Sequence, residues 1–407
     1  MKKILTTLAF AALLGAAPAG ASNPKHEFRG AWLHTVHQGQ YAKMTPEQTK
    51  AYLCDQLDKH PERFVSYADN KVYFDPGLPE NRKFIEDVVK DIITRYDVDA
   101  IHMDDYFYPY PVKGHDFPDD KSYSEYGKGM DRGDWRRQNV DLLIEGLHNV
   151  IAENKPWVRL GISPFGIWRN KTSDPRGSDT NGLQNYDGLY ADVLLWTEKG
   201  WVDYMLPQLY WELEKKVSSS EKLAYWWNDN ANGRHMYIGQ AIEKTMDMPD
   251  LAPSKNPTQL DHKIRLTREL PNIQGNCWWP GYSLTRNYKG IADSLATNQQ
   301  STIAIVPPYT WIDATLPKEV TALRHAGNSL TWEAPATDDP LQQARAFVVY
   351  RFEKGENIDL NKAEAIQAVT YTPSFALPAD GKEATYVVTV LDRVNNESPK
   401  GSAITVK

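Results

Sequence analysis

The sequence predicts a parallel α/β fold followed by a smaller all-β region. Strand-like and helix-like segments alternate through the first three quarters of the chain. Polar and aromatic residues follow most of the strand-like segments, and beyond Pro307 the pattern changes to short strands separated by turns. Alternation of strands and helices is typical of a parallel sheet covered by helices. A chain of 407 residues has room for two or three domains.

Six short apolar runs are predicted strands, and helix-like stretches separate them. The predicted strands cover residues 28–34, 98–104, 158–163, 202–210, 235–240 and 273–279. The predicted helices cover residues 45–59, 80–96, 134–154, 186–199, 220–230, 257–269 and 288–297. The first helix begins at Thr45 and Pro46, a capping residue followed by the proline that suits a first helical turn.

Polar and aromatic side chains gather directly after these predicted strands. The clusters begin at residues His34, Asp104, Ser163, Pro207, Gly239 and Cys277. In a (β/α) barrel the carboxyl ends of the parallel strands form the active face. A doubly wound sheet would also place a site there, but the sequence has no glycine-rich nucleotide loop. The sequence therefore predicts a TIM-type barrel with about six recognisable strands.

The most informative motif is Asp104–Asp105, which ends an apolar strand and precedes the aromatic run from Tyr106 to Tyr110. A buried carboxylate without a partner is strongly disfavoured, and glycoside hydrolysis uses two carboxyl groups. Successive strand residues point to opposite faces, so one aspartate is expected to act while the other braces the loop. We predict Asp105 as the principal carboxylate, Asp104 as the second choice, and Glu212 as the partner. The alternatives are aspartates that bond to a turn and a solvated loop glutamate.

Aromatic rings and amides near the strand ends are the predicted sugar-binding groups, with ordinary packing as the alternative for each ring. The candidate rings are Tyr106, Tyr108, Trp168, Tyr210, Trp211, Trp278 and Trp279. The candidate hydrogen-bonding side chains are Arg169, Asn170, Gln208 and Gln240. Arg136 and Arg137 are expected to pair with nearby acids, and Asp203 is expected at the opposite, structural end of its strand.

His102 is a candidate metal ligand, because imidazole and carboxylate groups at a strand end could serve a metal-dependent carbohydrate esterase. No second histidine pair at helical spacing accompanies it. We therefore predict neither a metal nor a cofactor. No serine or cysteine lies in a recognisable nucleophile turn, which argues against acyl chemistry.

The N-terminus and composition bear on location and partners. Residues 1–21 combine a basic start, an apolar stretch and an Ala-x-Ala site, which predicts a signal peptide and export to the periplasm, cell surface or medium. The net charge is −7 without a basic tract, which argues against nucleic acid as a partner. No later segment is long and apolar enough to span a membrane. Cys54 and Cys277 are expected to be free thiols, although a disulfide is open.

Residues 316–407 form the predicted all-β region. Short strands at 329–333, 346–352 and 385–392 are separated by Pro, Gly and Asp, which suggests a β-sandwich. Trp332 as a core residue and Tyr386 near the start of a late strand resemble a fibronectin type III module. Such modules are usually spacers or docking surfaces, and no catalytic role is expected here.

Five motifs together resemble the glycosyl hydrolase-like 10 family. They lie at residues 28–32, 95–109, 134–137, 161–169 and 207–211. The resemblance implies a TIM-type barrel over residues 27–306 and a secreted hydrolase of polysaccharide, with cell-wall glycan as one such substrate. Two alternatives stay open: an inactive carbohydrate-binding relative and the metal-dependent esterase.

The chain departs from the family pattern after its first predicted strand. The family has two further strands before the Asp104–Asp105 strand, whereas here the helix ending at Lys59 runs straight into His60. The resemblance thus implies an internal deletion of two βα units and an incomplete barrel. Such a barrel would leave two strands with open edges, which puts catalytic activity in question.

Overall fold

The computed structural model describes residues 23–32, 59–68, 71–248 and 258–407. The predicted signal peptide, Cys54 and all but the last residue of the predicted helix 45–59 lie outside these ranges. Within them, no helix is long and apolar enough to cross a membrane.

Fifteen strands are present in the described residues, and most are short. The strands before residue 300 are β1 (Phe28–Ala31), β2 (Phe64–Ser66), β3 (Val72–Phe74), β4 (Ala100–Met103), β5 (Arg159–Ile162), β6 (Tyr204–Met205), β7 (His235–Ala241) and β8 (Ile273–Trp279). The later strands are β9 (Thr321–Ala326), β10 (Ser329–Glu333), β11 (Ala346–Glu353), β12 (Ile366–Thr370), β13 (Ser374–Ala376), β14 (Ala384–Leu391) and β15 (Ser402–Val406).

Six strands form one parallel sheet in the order β1-β8-β7-β6-β5-β4. These are the six strands that the sequence predicts, so a parallel α/β fold is confirmed. The sheet is curled, so that its two edge strands approach each other. The ring of Trp32 after β1 contacts the ring of His102 on β4 with centroids 4.8 Å apart. In the described residues β1 and β4 are the two edges of this sheet, while β2 and β3 form a separate antiparallel hairpin.

Four of the seven longer helices begin at a side chain that caps them. They span Pro79–Arg95, Asp120–Tyr126, Arg132–Asn154, Val193–Lys199, Ser220–Asp229, Ile242–Asp247 and Gln259–Glu269. Asp131 accepts hydrogen bonds from the backbone N–H groups of Gly133 and Asp134, and the hydroxyls of Ser219 and Thr258 cap their helices in the same way. Shorter helices span Pro61–Arg63, Asn185–Gly188, Gly281–Thr285, Tyr288–Gly290, Ile291–Ser294, Leu295–Gln299 and Ala363–Ala365.

Three predicted elements differ from the structure, and one of them, helix 288–297, is divided into Tyr288–Gly290, Ile291–Ser294 and Leu295–Gln299. The predicted helix 186–199 is divided, because Tyr190 adopts a left-handed backbone with φ of 54° and Asp192 then caps Val193–Lys199. The predicted strand 202–210 pairs only at Tyr204–Met205. Pro207 has no N–H to donate to a ladder, which ends the regular pairing early.

The curled sheet has an inner and an outer face. Tyr204, Tyr237 and Cys277 belong to an inner cluster, whereas Met205 and Met236 pack outward against the helices. Residues after the sheet cover the amino ends of its strands: the Tyr309 hydroxyl lies 2.7 Å from the Tyr237 hydroxyl.

Asp203 confirms the polarity of the sheet. It accepts hydrogen bonds from the Leu160 backbone N–H at 2.7 Å and from the Trp311 indole at 2.8 Å. Its position at the start of β6 and its structural partners match the prediction from sequence.

Two antiparallel sheets follow, in the orders β13-β10-β9 and β12-β11-β14-β15. Side chains of both sheets, among them Trp332 and Tyr386, share one hydrophobic cluster. Ion pairs join this region to the parallel sheet, since Arg345 binds Asp99 at 3.0 Å and Arg393 binds Asp97 at 2.9 Å.

Candidate active site

Asp104 follows β4 at the carboxyl edge of the sheet. Its Oδ1 accepts a hydrogen bond of 2.9 Å from Nε2 of Gln208, and the same Nε2 donates to the Ser163 carbonyl at 2.9 Å. Gln208 therefore ties together the ends of β4, β5 and β6. The prediction gave Gln208 a sugar-binding role, whereas the structure uses its amide N–H groups to fix a carboxylate.

Asp105 is buried beside Asp104, with 2% of its surface exposed. The Tyr110 hydroxyl donates a hydrogen bond to its Oδ2. Burial raises the pKa of Asp105 to about 6; the charge of Asp104 adds to this rise, and the hydrogen bonds from Tyr110 and Gln208 oppose it. A carboxyl group with such a pKa holds its proton in weakly acidic solution, as a general acid requires.

Aromatic rings surround the two aspartates. Tyr106 is 69% exposed and contacts the Tyr110 ring at 5.7 Å. Tyr110 contacts Phe165, and Phe165 meets Trp211 edge to face at 5.3 Å. The rings of this row lie beside Asp105 and leave Tyr106 open to solvent.

A second pair of rings lies at the carboxyl ends of β6 and β8. Tyr210 stacks on Trp279 with ring centroids 5.5 Å apart and an interplanar angle of 18°. Burial raises the pKa of Tyr210, and the charges of Asp104 and Asp105 add to this rise. The structure thus brings Asp104, Asp105, Tyr106, Tyr210 and Gln208 together.

Trp278 and Gln240 lie on the outer face of the sheet. Trp278 is 2% exposed and packs against Ile242 and Ile264 of the surrounding helices. Gln240 is also 2% exposed and donates to Asn276 Oδ1 at 3.1 Å. Because side chains alternate along a strand, Trp279 faces inward where Trp278 cannot. The side chains of Trp278 and Gln240 therefore do not face the aspartates on the inner side of the sheet.

Tyr108 and Trp168 are packing residues, each 1% exposed. Tyr108 meets the rings of Phe117 and Tyr190 edge to face. The Trp168 indole donates to Asp192 at 3.0 Å. Neither ring presents a face on which a sugar could stack.

Arg169 and Asn170 are held by other protein groups. The Arg169 guanidinium binds Asp187 at 2.9 Å and Asp174 at 3.4 Å. Asn170 accepts hydrogen bonds from the Thr180 hydroxyl at 2.9 Å and the Gly182 N–H at 3.1 Å. Both side chains brace the segment after β5.

Glu212 lies near a buried lysine. Burial lowers the pKa of Lys263 to about 7, and the charge of Glu212 offsets part of this fall. The adjacent Leu213 N–H donates to Gln259 at 3.1 Å, which holds the loop against helix Gln259–Glu269. Among the carboxylates, Asp104 thus lies next to Asp105, whereas Glu212 lies in a loop held against helix Gln259–Glu269.

Arg136 pairs with acids, as predicted. It is 2% exposed and donates to both oxygens of Asp119, at 2.8 Å and 2.7 Å, and to Asp116 at 2.8 Å. Arg137 pairs with Asp134. The Arg136 ion pairs fix the segment that follows the aspartates to helix Arg132–Asn154, whereas the Arg137 pair lies within that helix.

His102 lies below Asp104 on the inner face. Its Nδ1 lies 3.0 Å from the Tyr204 hydroxyl, and burial lowers its pKa to about 4, so the ring is neutral near pH 7. In the described ranges, no group of three or more His, Cys, Asp or Glu side chains could hold a metal ion.

Sequence reasoning did not identify Tyr110 and Phe165 as site residues. Tyr110 lies in the aromatic run after Asp105, and Phe165 in the cluster after β5, so both were within segments of interest. Their contacts depend on how two separate loops fold back over the strand ends, which the local pattern does not encode.

Comparisons with known proteins agree on one family. The family model for glycosyl hydrolase-like 10 matches residues 31–252. Glycosyl hydrolase YngK of Bacillus subtilis (strain 168) is 38% identical over 361 residues, which cover 86% of this chain and 70% of that protein. Glycosyl hydrolase DigH of Escherichia coli (strain K12) is 35% identical over 219 residues, 52% of this chain and 50% of that protein.

This chain therefore spans about half the length of DigH. Among solved structures, a Bacteroides uniformis beta-glucuronidase aligns with 94% of this chain and 46% of its own, at 11% identity and a TM-score of 0.38. By its family match and its identity to YngK, the chain belongs to the glycosyl hydrolase-like 10 family.

Proposed function

We propose that this protein hydrolyses glycosidic bonds of a polysaccharide, with Asp105 as proton donor and Asp104 as the ionised carboxylate. The observation that carries the proposal is the pairing of a buried carboxyl group, whose pKa is raised to about 6, with a neighbouring carboxylate fixed by Gln208. Two carboxyl groups with different proton affinities are what glycoside hydrolysis requires.

In the proposed reaction the proton of Asp105 moves to the glycosidic oxygen as the bond from that oxygen to the anomeric carbon breaks. The leaving sugar departs as an alcohol, and positive charge develops on the anomeric carbon. The negative charge of Asp104 stabilises that carbon until water adds to it, and the proton lost by water restores Asp105.

The substrate is proposed to be a polymer, with cell-wall glycan as the first candidate. Tyr106 follows β4, and the pair Tyr210 and Trp279 lies at the ends of β6 and β8, so several sugar units of a polymer could stack along this edge of the sheet. Export through residues 1–21 would bring the enzyme to such a polymer.

We also propose that residues 27–306 and 316–407 are separate domains and that the second is fibronectin-like. We propose further that two βα units are lost, which would explain why β1 and β4 are edges of the described sheet. A spacer-like β region attached by Arg345 and Arg393 would hold the barrel at a fixed orientation.

A carbohydrate-binding relative without turnover is the second candidate. The low exposure of Asp105, 2%, favours it, because a proton donor has to reach the glycosidic oxygen. An esterase that depends on a metal is the third candidate, and hydrolysis that persists in a chelator excludes it.

The test of the proposed function is the release of reducing ends from purified glycan strands as a function of pH. We expect the rate to fall as the pH rises through about 6, because Asp105 then loses the proton that it must donate. Hydrolysis that is absent at every pH, together with glycan binding in a sedimentation assay, would favour the binding relative instead.

Two adjacent tryptophans provide a matched pair of variants. Trp279→Ala removes an inward ring that stacks on Tyr210, and we expect glycan binding to weaken by about tenfold, equivalent to about 1.4 kcal/mol, with the fold intact. Trp278→Ala removes a fully packed ring, and we expect the free energy of unfolding to fall by about 3–5 kcal/mol. Binding isotherms and urea unfolding of both variants check this, and equal effects on binding would contradict the assignment of faces.

A further inference from the structure

Tyr110 makes a direct contact with the proposed proton donor. Its hydroxyl donates to Oδ2 of Asp105, and its ring lies between those of Tyr106 and Phe165. One oxygen of the Asp105 carboxyl group is therefore occupied as an acceptor. The proton to be transferred is left on Oδ1, so the contact determines which oxygen faces the substrate.

The loop that carries Tyr110 is itself fixed by a residue of the hairpin. The Tyr67 hydroxyl, after β2, accepts a hydrogen bond from the Val112 N–H at 3.0 Å and donates to the His115 carbonyl at 3.3 Å. Tyr67 is 8% exposed and packs against Phe117. Tyr110 is thus held in place from outside the parallel sheet.

We propose that Tyr110 is the positioning residue of the site: it orients the Asp105 carboxyl group and limits how strongly that group holds its proton. This inference rests on the proposed function. The groups that face Asp105 are Asp104 and Tyr106 from its own strand end, Tyr110 across the loop, and Gln208 and Tyr210 from beyond β6.

Three of these groups, Asp104, Tyr110 and Gln208, affect the proton of Asp105. Burial and the Asp104 charge favour the protonated form, whereas the hydrogen bonds of Tyr110 and Gln208 favour the ionised form. Loss of the Tyr110 hydroxyl leaves the hydrogen bonds from Gln208 and from the backbone. The pKa of Asp105 should then rise above its present value.

The experiment compares the pH dependence of kcat in the wild type and in Tyr110→Phe, with Tyr371→Phe as the control. We expect the alkaline limb in Tyr110→Phe to move upward by about one pH unit, with a lower kcat and little change in KM. In Tyr371→Phe, which removes an exposed hydroxyl of the all-β region and keeps the Tyr110 bond to Asp105, the limb should not move. An unchanged limb in Tyr110→Phe would overturn the proposal.

A second variant and a second readout keep the test decisive. Tyr67→Phe releases the loop, and we expect a smaller shift of the limb in the same direction; a shift in the opposite direction would count against the proposal. The pH above which the difference in urea midpoint between wild type and Asp105→Asn stops growing also reports the folded-state pKa of Asp105 without any turnover. In a Tyr110→Phe background that pH should rise by about one unit. Because this readout needs no turnover, the inference about Tyr110 can fail while the proposed function stands, and the proposed function can fail while the inference stands.

Discussion

Asp105→Asn is expected to lower the rate of glycan hydrolysis by 10²–10⁴-fold, because the amide cannot donate the proton that the leaving oxygen needs. Asn keeps the shape of the side chain and can still accept a hydrogen bond from Tyr110. The KM should therefore change little. Initial rates on purified glycan strands at pH 5 and 7 measure this, with Glu212→Gln as the control at a carboxylate whose loop is held against helix Gln259–Glu269.

The same substitution is expected to make the protein more stable at alkaline pH. The folded-state pKa of Asp105 is raised from 3.8 to about 6, so its contribution to stability is present below pH 4 and is lost as the pH rises through 6. A difference of this size corresponds to about 3 kcal/mol. Urea unfolding should show similar stabilities for the wild type and Asp105→Asn at pH 3.5 and a clear advantage for the variant at pH 8. A rate loss in Glu212→Gln as large as in Asp105→Asn would contradict the assignment of the pair.

Arg136→Met is expected to reduce the free energy of unfolding by about 3 kcal/mol. Asp119 is 1% exposed, and removal of the guanidinium leaves its carboxylate buried with Arg132 as the remaining cation. Urea denaturation followed by tryptophan fluorescence measures the loss.

Arg95→Met is the matched control for that measurement. Arg95 pairs with Asp91 on the exposed face of its helix, so its loss should leave the unfolding midpoint nearly unchanged. An Arg136→Met midpoint as high as that of the control would show that the ion pair is not needed to keep the loop in place.

Much of the fold follows from local sequence signals. Helix-capping residues such as Asp131 and Ser219 and the apolar runs between them specify the order of strands and helices, and the family motifs mark the strand ends. The sequence identifies the Asp104–Asp105 pair as a candidate site, because carboxylates at the end of an apolar strand are costly to bury without a partner.

The face on which each strand-end residue lies was harder to predict. Both faces of a parallel strand covered by helices are apolar, so the pattern Cys277-Trp278-Trp279 does not say which tryptophan faces inward. Both tryptophans are candidate rings from the sequence, but Trp278 is buried among helices, whereas Trp279 stacks on Tyr210. The inner face becomes clear only when the neighbouring strands are in register.

Loop residues escaped prediction for a different reason. Glu212 is a candidate carboxylate from the sequence because it follows β6. Hydrogen bonds from the Leu213 N–H to Gln259 and from the Ser219 hydroxyl to the Leu213 carbonyl hold its loop against helix Gln259–Glu269. Tyr110 returns to Asp105 through a loop pinned by Tyr67. The Leu213–Gln259 and Tyr67–Val112 contacts join residues 46 and 45 positions apart in sequence, and periodicity carries no information about them.

The most direct measurement is a crystal structure of Asp105→Asn soaked with oligosaccharides from a glycan that the wild type cleaves. We expect sugar rings against Tyr106 and against Tyr210 or Trp279, with a glycosidic oxygen within hydrogen-bonding distance of the residue 105 side chain. Oligosaccharide bound on another surface, with residue 105 out of reach, would contradict the proposed site.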